Sequence, residues 1–394
     1  MKLKIDYNMF YLLFNSIIYV LTINNMSNVP EHIMSKTTLK LHNKNGHPIC
    51  LIKERIYKYF SSMYPLFQMF DELGEIVDVE NNFDLLLIPK GHPSRSKSDS
   101  YYLDDTHVLR THTSAHQNEL LKAGEKHFLV TGDVYRKDEI DKYHYPIFHQ
   151  MEGVCIVEND KDPEVDLIET LSGLIEYLFP EKKYRFNKDY FPFTDPSFEI
   201  EVLFGEKWVE VLGCGVIHAD ILKHNNVCDE HGSLRKGWAF GLGLERLAMI
   251  LYSIPDIRLF WTTDTRFIEQ FNKHSSTDDI TFVQYPKLTH IFKDVSFWLD
   301  PTKDCDISPS DTLEWQHQNE FFDIARECFG ENVEEIVKFD EFFNSKTNKL
   351  SHAWRIWLSP NNEMTSPGEF NKLCNDMLYN FTKTLTEKMH LDLR

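Results

Sequence analysis

Apolar residues recur along this chain with two different periods. Ile52, Ile56, Tyr59/Phe60 and Met63 fall at helical spacing, so HPICLIKERIYKYFSSM (47–63) predicts an amphipathic helix with Pro48 near its start. FDLLLIP (83–89) and HFLVTGDVYR (127–136) are apolar runs that read as buried strands, and SFEIEVLFGEKWVEVLGCGV (197–216) reads as two strands meeting at Gly205. The polar stretch NKHSSTDDITFVQY (272–285) has no period and predicts a linker. Beyond it, IFKDVSFWL is strand-like, and NEFFDIARECFG places Phe321, Ile324/Ala325 and Cys328 on one helical face before ending at Gly330. IVKFDEF and SHAWRIWL read as two more strands. Ser366-Pro367-Gly368-Glu369 is a capping box opening a helix with Phe370, Leu373/Cys374, Met377/Leu378, Phe381 and Leu385 in register. With a short last strand in 390–394, the order strand–helix–strand–strand–helix–strand is ferredoxin-like.

At 394 residues the chain is too long for one small core. We divide it into a leader (1–40), a larger domain (41–272), the linker (273–285) and a compact unit (286–394). Composition is that of an ordinary globular protein, with 42% hydrophobic, 26% charged and 13% aromatic residues. The net charge of −19 excludes blanket binding of nucleic acid by global electrostatics, though not a local basic groove. Seven cysteines at positions 50, 155, 214, 228, 305, 328 and 374 form no Cys-x-x-Cys pair, which points to free thiols in a reducing compartment. The leader carries Lys2 and Lys4 and an apolar run too short for a membrane span, and only Asp6 and Glu31 are acidic within it. Those features suit a targeting segment. The lack of arginine departs from a mitochondrial transit peptide, and a loosely docked leader is the alternative.

Two elements carry candidate chemistry. GWAFGLGLERLAM (237–249) sets Gly241 and Gly243 before Glu245-Arg246. It lacks the third glycine of a dinucleotide fingerprint and the Gly-Lys-Ser/Thr of a phosphate loop. A strand stripped of side chains at 241 and 243 lets a flat ring approach the backbone, and the helix that follows aims a guanidinium at its phosphates. A packing contact with Arg246 solvated would leave the same trace. In the second element, Tyr135-Arg136-x-Asp138 ends a strand, and a loop leads into a return strand through His149-Gln150-Met151-Glu152. His107, His112 and His116 have no zinc-site spacing and no acidic or thiol partner. Cys214 lies between glycines with no base-orienter pair beside it, which favours a small residue in a tight turn over a nucleophile.

Together these elements resemble motifs 2 and 3 of class II aminoacyl-tRNA synthetases. HPSRSKSDSYYL (92–103), RTHTSAHQ (110–117), YHYPIFHQMEG (143–153), YFPFTDPSFEIEV (190–202), EVLGCGV (210–216) and GWAFGLGLERLAMILYSIPDIRLFW (237–261) narrow the resemblance to phenylalanyl-tRNA synthetase. The likeness is to the monomeric organellar form, and it runs over roughly residues 45–394. It implies an α/β (α+β) fold, with a class II antiparallel sheet flanked by helices and a C-terminal ferredoxin-like anticodon-binding domain.

Carried over position by position, the resemblance implies that Arg136 and Arg246 act catalytically by holding the ATP phosphates. Asp138, Phe240, Gly241 and Gly243 complete the ATP site. Amino-acid contacts fall on His112, Ser114, Ala115, His116 and Gln117 and on Tyr143, His144 and Tyr145. Gln150, Met151 and Glu152 supply more from the return strand, with Glu210 on the floor. Phe191 and Phe193 would meet the substrate ring, and Ala239 would be small to admit its far edge. Asp138 stands where many class II enzymes have glutamate, and Asp195 where bacterial relatives have a glutamate linked to a metal; the metal ligands stay unassigned.

The implied activity is attachment of phenylalanine to tRNA(Phe) through a phenylalanyl-adenylate, using ATP and Mg²⁺, by a monomer away from membranes and without an editing domain. The implied place is the mitochondrial matrix, with a plastid as the alternative. Residues 286–394 hold 12 Lys and Arg against 19 Asp and Glu, a net of −7. Any tRNA contact there needs a local basic patch, for which Lys346, Lys349 and Arg355 are candidates. Two other readings fit parts of the pattern: an adenylating enzyme for another small acid that never meets tRNA, and a catalytically silent RNA-binding paralogue.

Overall fold

A computed structural model describes residues 27–272, 274–275, 279–285, 290–307, 313–360 and 366–394. The expectation for the leader over 1–26 lies outside the described residues, as do positions 273 and 276–278 of the expected linker. Residues 28–40, grouped above with the leader, fold onto the body: Ile33 is fully buried, and Asn28 Oδ1 accepts from the Tyr102 amide at 2.5 Å.

Pro48–Met63 forms helix α1, with His47 as its N-cap and proline at its first turn. The body is built on a seven-stranded sheet. Its strands are β1 (Gln68–Phe70), β2 (His127–Tyr135), β3 (Ile147–Ile156), β4 (Tyr184–Phe191), β5 (Thr194–Phe204), β6 (Lys207–Ile217) and β7 (Gly237–Gly243). They lie in the order β1-β2-β3-β7-β6-β5-β4, antiparallel except for the β1–β2 edge. Gly205 makes the β5–β6 turn at φ +61°, a conformation that glycine adopts without strain. Helix α1, helix α2 (Pro163–Leu178) and helix α3 (Leu244–Tyr252) supply apolar side chains to the core on one face of the sheet.

Two expectations failed. Part of the expected linker packs on the body, where Ile280 and Phe282 are buried in the core and the Phe282 amide donates to the Tyr252 carbonyl at 2.7 Å. FDLLLIP is no strand: Asp84–Leu86 is a single 3-10 turn, and Leu87 sits at φ +60°. Phe83 and Leu86 are completely buried, and the Ile88 amide returns to the Phe83 carbonyl. A short apolar run reports burial without reporting the element that achieves it.

The C-terminal unit follows its predicted order. β8 (Ile291–Leu299), α4 (Gln318–Phe329), β9 (Val333–Asn344), β10 (Lys349–Leu358), α5 (Pro367–Lys388) and β11 (Asp392–Leu393) build a sheet ordered β9-β10-β8-β11, with a small hairpin inserted after β8. The Ser366–Glu369 capping box forms in full. Alternation along β10 sends Leu350, Trp354, Ile356 and Leu358 toward the helices and leaves Arg355 and Trp357 on the outer face.

Residues 137–146 of the body join this unit. Ile140 is buried in its core, and its carbonyl accepts from the Ile336 amide at 3.2 Å. Arg326 Nη2 donates to the Asp138 and Glu139 carbonyls at 2.6 Å each. Lys137 and Asp323 pair at 3.2 Å with both side chains under a tenth exposed, and the Tyr101 hydroxyl donates to the same carboxylate at 2.9 Å.

Close packing across the sheet yields a first test. Any Cβ on Gly153 would overlap the buried Phe240 ring, itself stacked on Phe60 at 5.8 Å and 17°. Gly153→Ala is therefore expected to destabilise the body by about 2–3 kcal/mol in urea unfolding. An unchanged midpoint would show that the ring can yield.

Candidate active site

Register across three strands clears a floor. Glu152 on β3 pairs with Gly241 on β7, which pairs with Gly213 on β6, so one row across the sheet carries a single functional side chain. The ring of Phe191 covers Gly213, its Cζ 2.8 Å from where a Cβ would stand. Above this row lies a cavity of about 600 Å³, lined among others by His112, Ser114, Arg136, Gln150, Glu152 and Phe193. Phe191 and Phe193 stack in parallel, centroids 5.8 Å apart at 11°.

Glu152 is the cavity's electrostatic feature. Burial pushes its carboxyl up to about 8, against a smaller opposing effect of the Ser114 hydroxyl. Its second oxygen has no partner. His112 is pulled down to about 3 by burial and then by the Arg136 charge, and neither ring nitrogen is bonded. Arg136 is aimed by Nε donating to the Thr111 carbonyl at 2.8 Å and by the Phe148 ring 5.1 Å away. The cavity thus offers an acid poised to accept a cation, aromatic walls, and a guanidinium suited to phosphate.

At the rim, Arg246 Nη1 donates to Glu210 Oε2 at 3.2 Å, and both side chains are about half exposed. The first turn of α3, which carries Arg246, is fastened to β3 by a buried contact. Glu245 accepts from the His149 amide at 2.7 Å and bonds its ring at 2.6 Å.

The structure gathers most of the sequence-derived candidates and disperses others. Asp138, Glu210, Ala239 and Gly241 also line the cavity. Phe240 lines it too, but alternation turns its ring to the helix side, so it packs on Phe60. Met151 is one residue out of phase with Glu152 and is fully buried in that same helix-side core. Ala115, His116 and Gln117 are buried behind the cavity wall, and Gly243 lies at the strand end outside it. Arg246 reaches the cavity only through Glu210.

Tyr143, His144 and Tyr145 stand apart from the cavity, because residues 137–146 turn toward the C-terminal unit. Tyr145 donates to Glu331 at 2.7 Å and stacks on Trp261 at 5.2 Å. Glu139, Asp141 and His144 bring possible ligand atoms within 4.8 Å of one another. They lie in the loop, with His144 Nδ1 bonded to Asp141 at 2.9 Å, and therefore staple a turn. Sequence reasoning missed Gly213 and Thr111; the Gly-x-Gly at 213–215 was the available signal for the first. Nothing local marked the second, whose part is played by its carbonyl.

Burying Glu152 fixes the sign of a pH effect. Between the ordinary glutamate value and about 8, the native state holds a proton that the unfolded chain releases, so stability falls as pH rises through that window. Glu152→Gln removes the effect. The melting temperature of the variant relative to the parent is expected to rise more at pH 8.5 than at pH 5. Equal differences in calorimetry at the two pH values would contradict ionisation in a dry site.

With this geometry in view, comparisons with known proteins are specific. Residues 34–271 match the family of tRNA synthetases class II core domain (F). The chain is 43% identical to the chloroplastic/mitochondrial phenylalanine–tRNA ligase of Arabidopsis thaliana, over 93% of this chain and 83% of that one. It is 42% identical to the mitochondrial phenylalanine–tRNA ligase of Mus musculus, over 84% and 78%. To that of Saccharomyces cerevisiae it is 35% identical, over 84% and 85%. The chain belongs to the class II aminoacyl-tRNA synthetases, in the family of the organellar phenylalanine–tRNA ligases.

Proposed function

We propose that this chain, acting alone in the mitochondrion, activates phenylalanine with MgATP and esterifies the product to tRNA(Phe). The observation that carries the reading is the cavity itself, where a buried carboxyl with a free oxygen faces aromatic walls beside Arg136. Glu152 releases its proton to water as it receives the substrate ammonium, with Gln150 and Ser114 beside it. Phe191 and Phe193 flank the ring, and Ala239 leaves room at its edge. Against this framework a carboxylate oxygen attacks the α-phosphorus of ATP. The bond to the bridging oxygen breaks, and pyrophosphate leaves with that electron pair. Arg136 and Arg246 neutralise the developing charge, so the protein's part is positioning and electrostatics. In the second half-reaction the terminal adenosine hydroxyl of tRNA attacks the acyl carbon, and AMP departs.

The C-terminal unit is proposed to meet the anticodon by stacking. Arg355 lies 4.1 Å from the Phe292 ring and 5.0 Å from that of Phe339, a platform for unpaired bases. In the free protein two members of the expected basic patch are held by carboxylates, Arg355 by Asp294 through two 2.8 Å bonds and Lys349 by Asp392 at 2.7 Å. We also propose that the chain lacks an editing site, so tyrosine is refused by the pocket alone, at about 10² in kcat/KM.

ATP–pyrophosphate exchange without tRNA, run with each of the twenty amino acids, tests the reading. Exchange is expected with phenylalanine and weakly with tyrosine. Arg246→Ala, at an exposed position, should lower it by about 10²-fold or more while the melting temperature stays put. Exchange with no amino acid would favour the silent RNA-binding paralogue, and undiminished exchange in the variant would remove Arg246 from the phosphate site.

A further inference from the structure

Behind the cavity wall lies a buried arginine that no part of the mechanism uses. Arg110 is 1% exposed, and its guanidinium bonds three separate pieces of chain. Nε donates to the Asp133 carbonyl at 2.7 Å and Nη2 to the Asp133 carboxylate at 3.0 Å, both on β2. Nη1 donates to the Leu73 and Gly74 carbonyls at 3.1 and 3.3 Å, and to His116 Nε2 at 2.9 Å. Space for it exists only because residue 132 is glycine, since a Cβ there would overlap the guanidinium.

The contact with His116 fixes that ring's tautomer. A guanidinium can only donate, so Nε2 must present its lone pair. The ring proton then sits on Nδ1 and goes to Glu119 Oε1, 2.7 Å away. His116 ends the 3-10 turn Thr113–His116, which carries Ser114, a residue that lines the cavity together with Glu152. Within that turn the Gln117 amide donates to the Ser114 carbonyl, and little else holds it. Its cap residue makes no side-chain bond, and the Ala115 amide reaches the His112 carbonyl only at 3.5 Å. Its shape is imposed at its two ends. Asn82 clasps Thr111 at the start, through the Thr111 amide at 3.0 Å and hydroxyl at 2.9 Å, and Arg110 holds His116 at the finish.

We propose that Arg110, acting through His116, is a positioning residue that sets Ser114 against Glu152 and thereby tunes affinity for the amino acid. The proposal rests on the reading of this cavity as the phenylalanine site. Thr111, whose carbonyl aims Arg136, belongs to the other anchor, so the two ends of the turn serve different substrates. Lysine cannot replace Arg110, because one ammonium cannot reach three directions in a plane.

The test is a comparison of His116→Leu and His116→Gln with the parent. Leucine removes the acceptor and leaves the Arg110–Asp133 pair in place; the glutamine amide oxygen can accept the same N–H. His116→Leu is expected to raise the KM for phenylalanine in pyrophosphate exchange tenfold or more while the KM for ATP stays within twofold. His116→Gln should return it to within about threefold of the parent. Hydrogen exchange across 112–117 should quicken in the leucine variant and recover in the glutamine one. A folded His116→Leu protein with unchanged phenylalanine KM, or with both KM values raised alike, overturns the proposal. If the parent shows no phenylalanine dependence, the functional reading falls, and hydrogen exchange still judges the positioning: equal rates in parent and leucine variant overturn it.

Discussion

A carboxyl group buried without a countercharge is the constraint around which this site is arranged. Glu152 has given up water, and its Oε2 bonds nothing. Such a group is tolerated as a neutral acid and becomes costly once ionised. Its neighbours keep it so. Gly241 and Gly213 put no side chain beside it on the sheet, His112 is held uncharged, and Arg136 is turned toward the Thr111 carbonyl and the Phe148 ring. A cationic ligand that enters this space replaces a missing interaction instead of displacing an existing one. Affinity drawn from that source must be stored as instability in the free protein.

A second constraint is that one loop serves two structures. Asp138 faces the cavity, while its carbonyl is bonded to Arg326 of the C-terminal unit. Ile140, two residues on, is part of that unit's core. The segment that follows Arg136 is therefore shaped as much by α4 and β9 as by its own strands. The aromatic contacts of Tyr145 continue the same seam, through Trp261 to His149 and the Glu245 that anchors α3. Withdrawing the C-terminal unit would strip 137–146 of its packing while leaving β2 and β3 paired.

Regular elements were legible wherever one residue set their limits. Pro48, Gly205 and the Ser366 capping box each mark a boundary by local chemistry, and each lies where it was expected. The apolar run at 83–89 had no such marker, and burial there is met by a 3-10 turn. Within the site, alternation along a strand decides which candidates line the cavity. Glu152 and Ala239 face the cavity, whereas Met151 and the Phe240 ring, each one residue away, face the helices. Residues 143–145 stand apart from the cavity for a different reason. Their surroundings come from a unit some 190 positions later in the chain, as the Tyr145–Glu331 bond illustrates, and no local pattern encodes that. Arg110 escaped notice because a lone arginine reads as surface until Gly132 and Asp133 are seen to enclose it.

Charge poses the remaining problem, since a protein of net −19 must receive polyanions. Its cations divide into two kinds. Arg110–Asp133 and Lys137–Asp323 are sealed, and breaking either would strand a charge in a dry interior at a cost of about 3–5 kcal/mol. Arg246–Glu210, Arg355–Asp294 and Lys349–Asp392 are open to solvent, where such pairs contribute little. An arriving phosphate can take the place of those carboxylates at little expense, so the pairs hold the cationic side chains in position without committing them. The open pairs lie at the two places proposed to meet ATP and RNA, and the sealed ones lie behind the turn and loop that flank the cavity. The acidic surplus therefore leaves the proposed ligand contacts available and repels anions elsewhere on the surface.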